Sequence, residues 1–195
     1  MLTTPHLLAP IRPDAPLLVV ATKQEAEHLD VDAPVLLTGI GRINTVAALT
    51  EALTEAAGRG VKPTSIINVG TAGALRPMAG VHHVGAVLLH DFSHSAVAQL
   101  AGGEAYPAIR LGDGPTLATG DMFVEDSAVR ARLAEAADLV DMEGYAVAWV
   151  ARRYDIPVDL IKLVSDPADE DAGRLWIDGV AECSRVLSEY LAAER

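Results

Sequence analysis

Several things are scarce in this chain. It has one cysteine, Cys183, in 195 residues. No intrachain disulfide can form, and a reducing, cytoplasmic setting is expected. Cys183 falls in the last helical pattern with no sequence neighbour to activate it, so it reads as a core thiol rather than a nucleophile. Basic residues are few: 15 Lys and Arg stand against 27 Asp and Glu, a net charge of −12. An acidic surface repels phosphate backbones, which argues against nucleic acid and anionic membranes as partners. Long apolar runs are missing too; nothing approaches the roughly 18 uninterrupted apolar residues of a membrane span. The first sixteen residues lack a basic start followed by an apolar run, so no signal peptide is expected. Their four prolines predict an irregular lead-in over 1–15. Aromatics make up only 4% of the chain, and the apolar half is mostly Ala, Leu and Val. That composition suits a globular α/β protein and argues against disorder.

What is present is alternation. Strand-like apolar runs at 16–21, 35–38, 65–69, 84–89, 116–119, 139–141 and 157–164 are separated by helical patterns. Helices are predicted over about 42–57, 126–137, 143–153 and 174–192. In the first, Ile43, Val46, Ala47, Leu53 and Ala57 are expected to face inward. In the last, Val180, Cys183, Leu187 and Leu191 are. Asp126 or Ser127 is expected to cap the second. The glycine- and proline-bearing stretch up to Pro115 reads as a loop. With no repeat, low-complexity tract or linker, residues 1–195 read as one domain. The predicted fold is a three-layer α/β/α arrangement with a central mixed, mostly parallel sheet.

Polar residues and glycines collect at the ends of the predicted strands, where open α/β sheets bind ligands. They are Glu25, Gly70-Thr-Ala-Gly73, Glu143 and Asp166. Each has a plain structural reading: a first-turn helix residue, a tight turn, a cap before Pro167. Glu143 resists it most. It opens a helix made of Gly144, Tyr145, Ala146, Val147, Ala148 and Trp149, and a carboxylate beside such a stretch needs hydrogen-bond partners that ligand hydroxyls can supply.

Six segments occur in one order: Val20-Ala-Thr-Lys-Gln-Glu-Ala26, Thr38-Gly-Ile-Gly-Arg-Ile-Asn-Thr-Val-Ala47, Ile67-Asn-Val-Gly-Thr-Ala-Gly-Ala-Leu75, Thr119-Gly-Asp-Met-Phe-Val124, Val140-Asp-Met-Glu-Gly-Tyr-Ala146 and Val164-Ser-Asp-Pro-Ala-Asp169. In order and spacing they resemble the nucleoside phosphorylase/nucleosidase superfamily, and within it the methylthioadenosine/S-adenosylhomocysteine nucleosidases. The resemblance covers about 17–190. It implies hydrolysis of an adenosine-type nucleoside, as in methionine salvage, by a homodimer that needs no cofactor. It also implies roles. Glu25 positions and deprotonates the attacking water. Thr71, Ala72 and Gly73 lie beside water and ribose. Phe123 stacks on the purine, and the backbone of Val124 holds the base. Met142 packs under the ribose, and Glu143 accepts from its hydroxyls. Asp166, with Ser165, assists N7 of the leaving purine. Trp176 forms a wall of the base pocket.

The chemistry asks for this division of labour. Breaking an N-glycosidic bond makes the sugar positive and the departing base negative. An acid must sit over the purine and a base on the water side, the pattern of glycoside hydrolysis applied to a C–N bond. Phosphorylases of the family carry arginine near the first-strand loop and before the glycine turn. Here those places hold Glu25 and Asn68, which favours water over phosphate; Arg42 is the cation that remains nearby. After the fourth strand the chain reads His90-Asp-Phe-Ser-His-Ser-Ala-Val97, unlike the acidic, Arg/Tyr/His-bearing segment of the nucleosidases, and it is short between 97 and 116. The 5′ substituent therefore stays open among methylthioadenosine, S-adenosylhomocysteine, 5′-deoxyadenosine and a futalosine-like nucleoside, with Phe92 and His94 as candidates for its pocket. A phosphorylase and a non-catalytic nucleoside-binding protein are the rival readings. His82-His83 and His90-x-x-x-His94 lack the further ligands that a metal site would want.

Overall fold

The computed structural model describes residues 6–103 and 105–194. Its centre is built from two-sided strands. All four residues of β2 (Leu17–Val20) are buried, and they alternate between two cores: Leu17 and Val19 face one, Leu18 and Val20 the other. Burial on both faces is why this run is continuously apolar rather than alternating. The lead-in is not wholly irregular, because His6–Leu7 forms a short strand, β1, antiparallel to β3 (Val35–Leu37).

β2 lies parallel between β3 and the first half of β4 (Ile66–Ala74). The end of β4 meets β9 (Leu139–Asp141) antiparallel, and β10 (Val158–Asp166) runs parallel to β4 along its other side. From β9 the sheet continues parallel through β8 (Thr116–Thr119) and β6 (Ala86–Leu89), then antiparallel to β7 (Ile109–Arg110). β5 (Val81–His83) adds antiparallel to β10. Parallel pairing fills the interior, and antiparallel pairs serve the rims and the β4–β9 junction, as the predicted mixed sheet requires.

Helices cover both faces. α2 (Arg42–Gly58) and α5 (Gly144–Arg153) pack on each other and on one face; α6 (Ala172–Ala193) and the short α1 (Lys23–Ala26) pack on the other. α4 (Ser127–Leu133) is capped by Asp126, whose Oδ1 accepts from the Ala128 and Val129 amides at 2.8 and 2.9 Å.

Four expectations need correction. The inward face of α2 is Thr45, Ala48, Leu49, Ala52, Leu53 and Ala56; Ile43, Val46, Ala47 and Ala57 point outward. With alanine spread all round the helix, the apolar periodicity does not single out one stripe. The stretch up to Pro115 is not all loop: it carries α3 (His94–Ala101), ended by left-handed Gly102 (φ 73°), and β7. α4 stops at Leu133, where Ala136 donates back to Leu133 in a tighter turn that feeds β9. On α6, Val180, Leu187 and Leu191 are buried as expected, but Ser184 replaces Cys183 at the buried position and Cys183 is only half-buried.

Candidate active site

The carboxyl ends of β2, β4, β9 and β10 open on one cleft of about 210 Å³. Its lining includes the catalytic and substrate-binding residues read from the six segments and α6: Glu25, Thr71, Ala72, Gly73, Phe123, Val124, Met142, Glu143, Ser165, Asp166 and Trp176. Ala21, Thr22, Ile40, Met122, Val140 and Asp141 complete the lining.

Glu25 is placed by a capping box. The side chain of Thr22 accepts from the Glu25 amide, and the Glu25 carboxylate reaches back to the Thr22 N–H and hydroxyl at 3.2 and 3.0 Å. Its other oxygen accepts from the Thr71 N–H at 3.0 Å and hydroxyl at 2.9 Å. Four donors fix this buried group between Thr22, before α1, and Thr71 in β4. Trp176 donates its indole N–H to Thr71 Oγ1 at 2.9 Å, so α6 is pinned to the same point.

The glycines of Gly70-Thr-Ala-Gly73 make room for carboxylates. A Cβ at Gly70 would lie 3.1 Å from Glu25 Oε1, and one at Gly73 would lie 3.0 Å from Asp166 Oδ1. The pairing of β10 with β4 shifts between Val164 and Asp166, and the irregularity swings Asp166 into the cleft. There Asp166 accepts from the Ser165 hydroxyl at 2.7 Å and the Ala168 amide at 2.9 Å.

Glu143 is the N-cap residue of α5, and its Oε1 accepts from the Gly41 N–H at 2.7 Å. Burial first, then the charge of Asp141, pushes its carboxyl up to about 8 against the opposing pull of Lys162 and the Gly41 N–H; Glu25 adds to the rise. A group whose folded value is raised contributes stability that is complete below its unfolded value and is lost as pH climbs through the folded one. Melting temperature is therefore expected to fall between about pH 5 and about pH 8, and to fall less in Glu143→Gln. Parallel curves for the two proteins would contradict this.

Sequence reading missed the group beneath these carboxylates. Lys162 is 2% exposed, and its Nζ sits 2.9 Å from Asp141 Oδ2. Burial lowers its pKa, but the charges of Asp141, Glu143 and Glu25 outweigh that and raise it overall, so it stays cationic. Asp141 also accepts from the Thr119 hydroxyl at 2.6 Å and the Gly144 amide at 2.8 Å, which ties the start of α5 to β8 and β10. The signal was available: a lysine inside a strand read as buried needs a carboxylate partner. Cys183 lies close enough to feel Glu25 and Asp166; burial, then those charges, pushes its thiol up and keeps it protonated.

Among the histidines, His83 serves the scaffold. It bonds Asp159 at 2.7 Å and the Tyr190 hydroxyl at 3.0 Å, holding the end of α6 to β5 and β10. Phe92 packs edge-on to Tyr106, in an aromatic group with Trp149 outside the cleft lining. Phe92 and His94, offered for the 5′ pocket, are thus not among the lining residues.

The family model described as Phosphorylase superfamily matches residues 87–193. This chain belongs to the phosphorylase superfamily. Aminodeoxyfutalosine nucleosidase of Helicobacter pylori (strain J99 / ATCC 700824) is 29% identical over 101 residues, 51% of this chain and 43% of that protein. The 5′-methylthioadenosine/S-adenosylhomocysteine nucleosidase of Geobacillus kaustophilus (strain HTA426) is 29% identical over 174 residues, 73% of this chain and 70% of that protein. The first match thus spans under half of its relative's length. The crystal structure of Streptococcus pneumoniae MTA/SAH nucleosidase in complex with 8-aminoadenine shares the fold, with a TM-score of 0.74 at 22% identity, covering 91% of this chain and 96% of that one. The cleft is poor in positive charge: its lining holds no lysine or arginine among the described residues. Nearby Arg42 is engaged by Asp91 and Asp121, and Lys162 by Asp141.

Proposed function

We propose that this chain hydrolyses the N-glycosidic bond of an adenosine-type nucleoside carrying a 5′ substituent, releasing free base and a ribose derivative. The observation that carries the reading is the meeting of Glu25, Glu143 and Asp166 in one cleft whose lining, among the described residues, has no lysine or arginine to hold phosphate. The nucleosidase names of the Helicobacter pylori and Geobacillus kaustophilus relatives support it.

In this reading a water attacks C1′ and gives its proton to Glu25. The four hydrogen bonds of that carboxylate leave no spare lone pair, so the Thr71 or Thr22 hydroxyl turns away to admit the water. The C1′–N bond breaks, its electron pair leaves with the purine, and Asp166 delivers or shares a proton at N7. Ser165 orients Asp166. Glu143 accepts from the ribose hydroxyls, which favours its charged form in the complex, and that charge offsets the cationic sugar. Phe123 stacks on the base, the Val124 backbone holds it, and Trp176 walls its pocket. Met142 lies under the ribose, beside Thr71, Ala72 and Gly73. No cofactor enters.

A homodimer belongs to the same proposal. Ile40, at the cleft mouth, leads into α2, where Ile43 is 79% and Val46 39% exposed; a second copy over this apolar stripe would cover the open side. A single monomeric species in sedimentation at working concentration ends that part. A cytoplasmic setting, and a place in methionine salvage, go with the methylthioadenosine form of the reading.

The deciding experiment is a panel of methylthioadenosine, S-adenosylhomocysteine, 5′-deoxyadenosine and a futalosine-like nucleoside, assayed for free base with and without phosphate. Free base and free sugar in phosphate-free buffer are expected. Strict dependence on phosphate would make the protein a phosphorylase, and binding without turnover would make it a nucleoside-binding protein. A strong preference for the futalosine-like member removes methionine salvage.

A further inference from the structure

Two sequence features stand outside the proposed reaction: Arg42, and the departing stretch after β6 that begins His90-Asp91. In the fold they meet. The Arg42 guanidinium donates to Asp121 Oδ2 through Nε at 3.1 Å and Nη2 at 2.7 Å. It also donates to Asp91 Oδ2 through Nη2 at 3.0 Å, with Nη1 2.9 Å from Asp91 Oδ1. Backbone groups join in: Asp121 Oδ1 accepts the Arg42 N–H at 3.2 Å, and Asp91 Oδ2 accepts the Asp121 N–H at 2.8 Å. One guanidinium thus ties the start of α2 to the segments that follow β6 and β8. The Arg42 and Asp91 side chains are each 22% exposed and that of Asp121 46%, so solvent screens the Arg42–Asp91 side of the cluster less than an open surface pair.

The segment it fastens matters. Asp121 opens Asp121-Met-Phe-Val124, which has neither helix nor strand and carries Phe123 and Val124 into the cleft. Val124 is anchored in the core, but Met122 and Phe123 are each 42% exposed, so core packing alone does not fix the part of the segment that carries the ring. An unfastened segment would have to be ordered each time a base binds, and that cost comes out of affinity. A forked arginine between two carboxylates removes the cost beforehand, because its planar donors fix direction as well as distance.

We propose that Arg42, with Asp91 and Asp121, is a positioning device that pre-sets the base-stacking segment and so governs affinity for the nucleobase. The proposal rests on the purine reading of the cleft. It predicts an effect on binding rather than on chemistry. The Gly41 N–H that serves Glu143 has its own support, since the carbonyl of Gly41 accepts from both the amide and the hydroxyl of Thr45, at 3.1 and 3.0 Å.

The test uses Arg42→Ala and Arg42→Lys in the full chain. In Arg42→Ala, KM for the best nucleoside of the panel and the calorimetric Kd for free adenine are expected to rise about tenfold, while kcat changes by less than about threefold. Hydrogen exchange at the Asp121 and Met122 amides is expected to quicken, with exchange in β4 unchanged. Arg42→Lys, which offers a point charge in place of a fork, should recover part of the affinity. A KM and adenine Kd within about twofold of wild type overturn the assignment, and so does unchanged exchange at Asp121 and Met122. If the wild type neither turns over a nucleoside nor binds adenine, the purine reading has failed, and the exchange measurement still decides whether the fastening exists.

Discussion

Asp166→Asn is expected to slow the release of free base by about 10²- to 10⁴-fold, the range that a positioned proton donor supplies. Asparagine is nearly isosteric. Its oxygen can still accept from the Ala168 amide, and its nitrogen can donate to the Ser165 oxygen, so both contacts of the native carboxylate survive in form. What it cannot do is transfer a proton to N7. The fold and the affinity for substrate should therefore remain while turnover falls, which separates a chemical role from a structural one. Initial rates of base release, with melting temperature as the control for folding, decide the matter. A variant retaining more than about a tenth of the wild-type rate removes Asp166 from the reaction.

The strands were legible because two-sided burial writes itself as unbroken apolar runs, as in Leu17–Val20. The helix face was not legible on α2, because an alanine-rich helix is apolar in several directions and only the packed sheet selects one. α3 and β7 were hidden by neighbouring glycines and prolines, which punctuate the chain without saying that ordered elements lie between them. In the site, role-bearing residues from five of the six segments meet in one cleft, since those segments lie at strand ends on the same side of the sheet; the Thr38–Ala47 segment adds only Ile40, and Trp176 comes from α6. Contacts between distant segments were out of reach. Arg42 and Asp91 are 49 positions apart, and nothing in either segment announces the other. The four donors around Glu25 are half local, in the capping box of Thr22, and half remote, at Thr71. Sequence could suggest only the local half.

The buried pair of Lys162 and Asp141 carries the largest stability effect expected of the cleft. Lys162→Ala removes the cation that faces three acidic groups and leaves Asp141, whose side chain is 1% exposed, without its charge partner. Losing one side of such a pair costs about 3–5 kcal/mol. At about 2–4 °C per kcal/mol for a chain of this size, the melting temperature should drop on the order of 10 °C. The pair is not thereby a net source of stability, because desolvating both ions offsets much of their attraction. That distinction gives a second arm. Removing Asp141 as well, in Lys162→Ala/Asp141→Ala, should destabilise by less than the sum of the single changes, since the orphaned charge goes with it. Activity should not recover in step, because Asp141 is what receives the Gly144 amide and the Thr119 hydroxyl where α5 begins, and Glu143 hangs from that turn. Thermal melts that place Lys162→Ala within about 1 kcal/mol of wild type would mean that the lysine is not compensating these carboxylates. Additive single and double changes would mean that the two residues act separately.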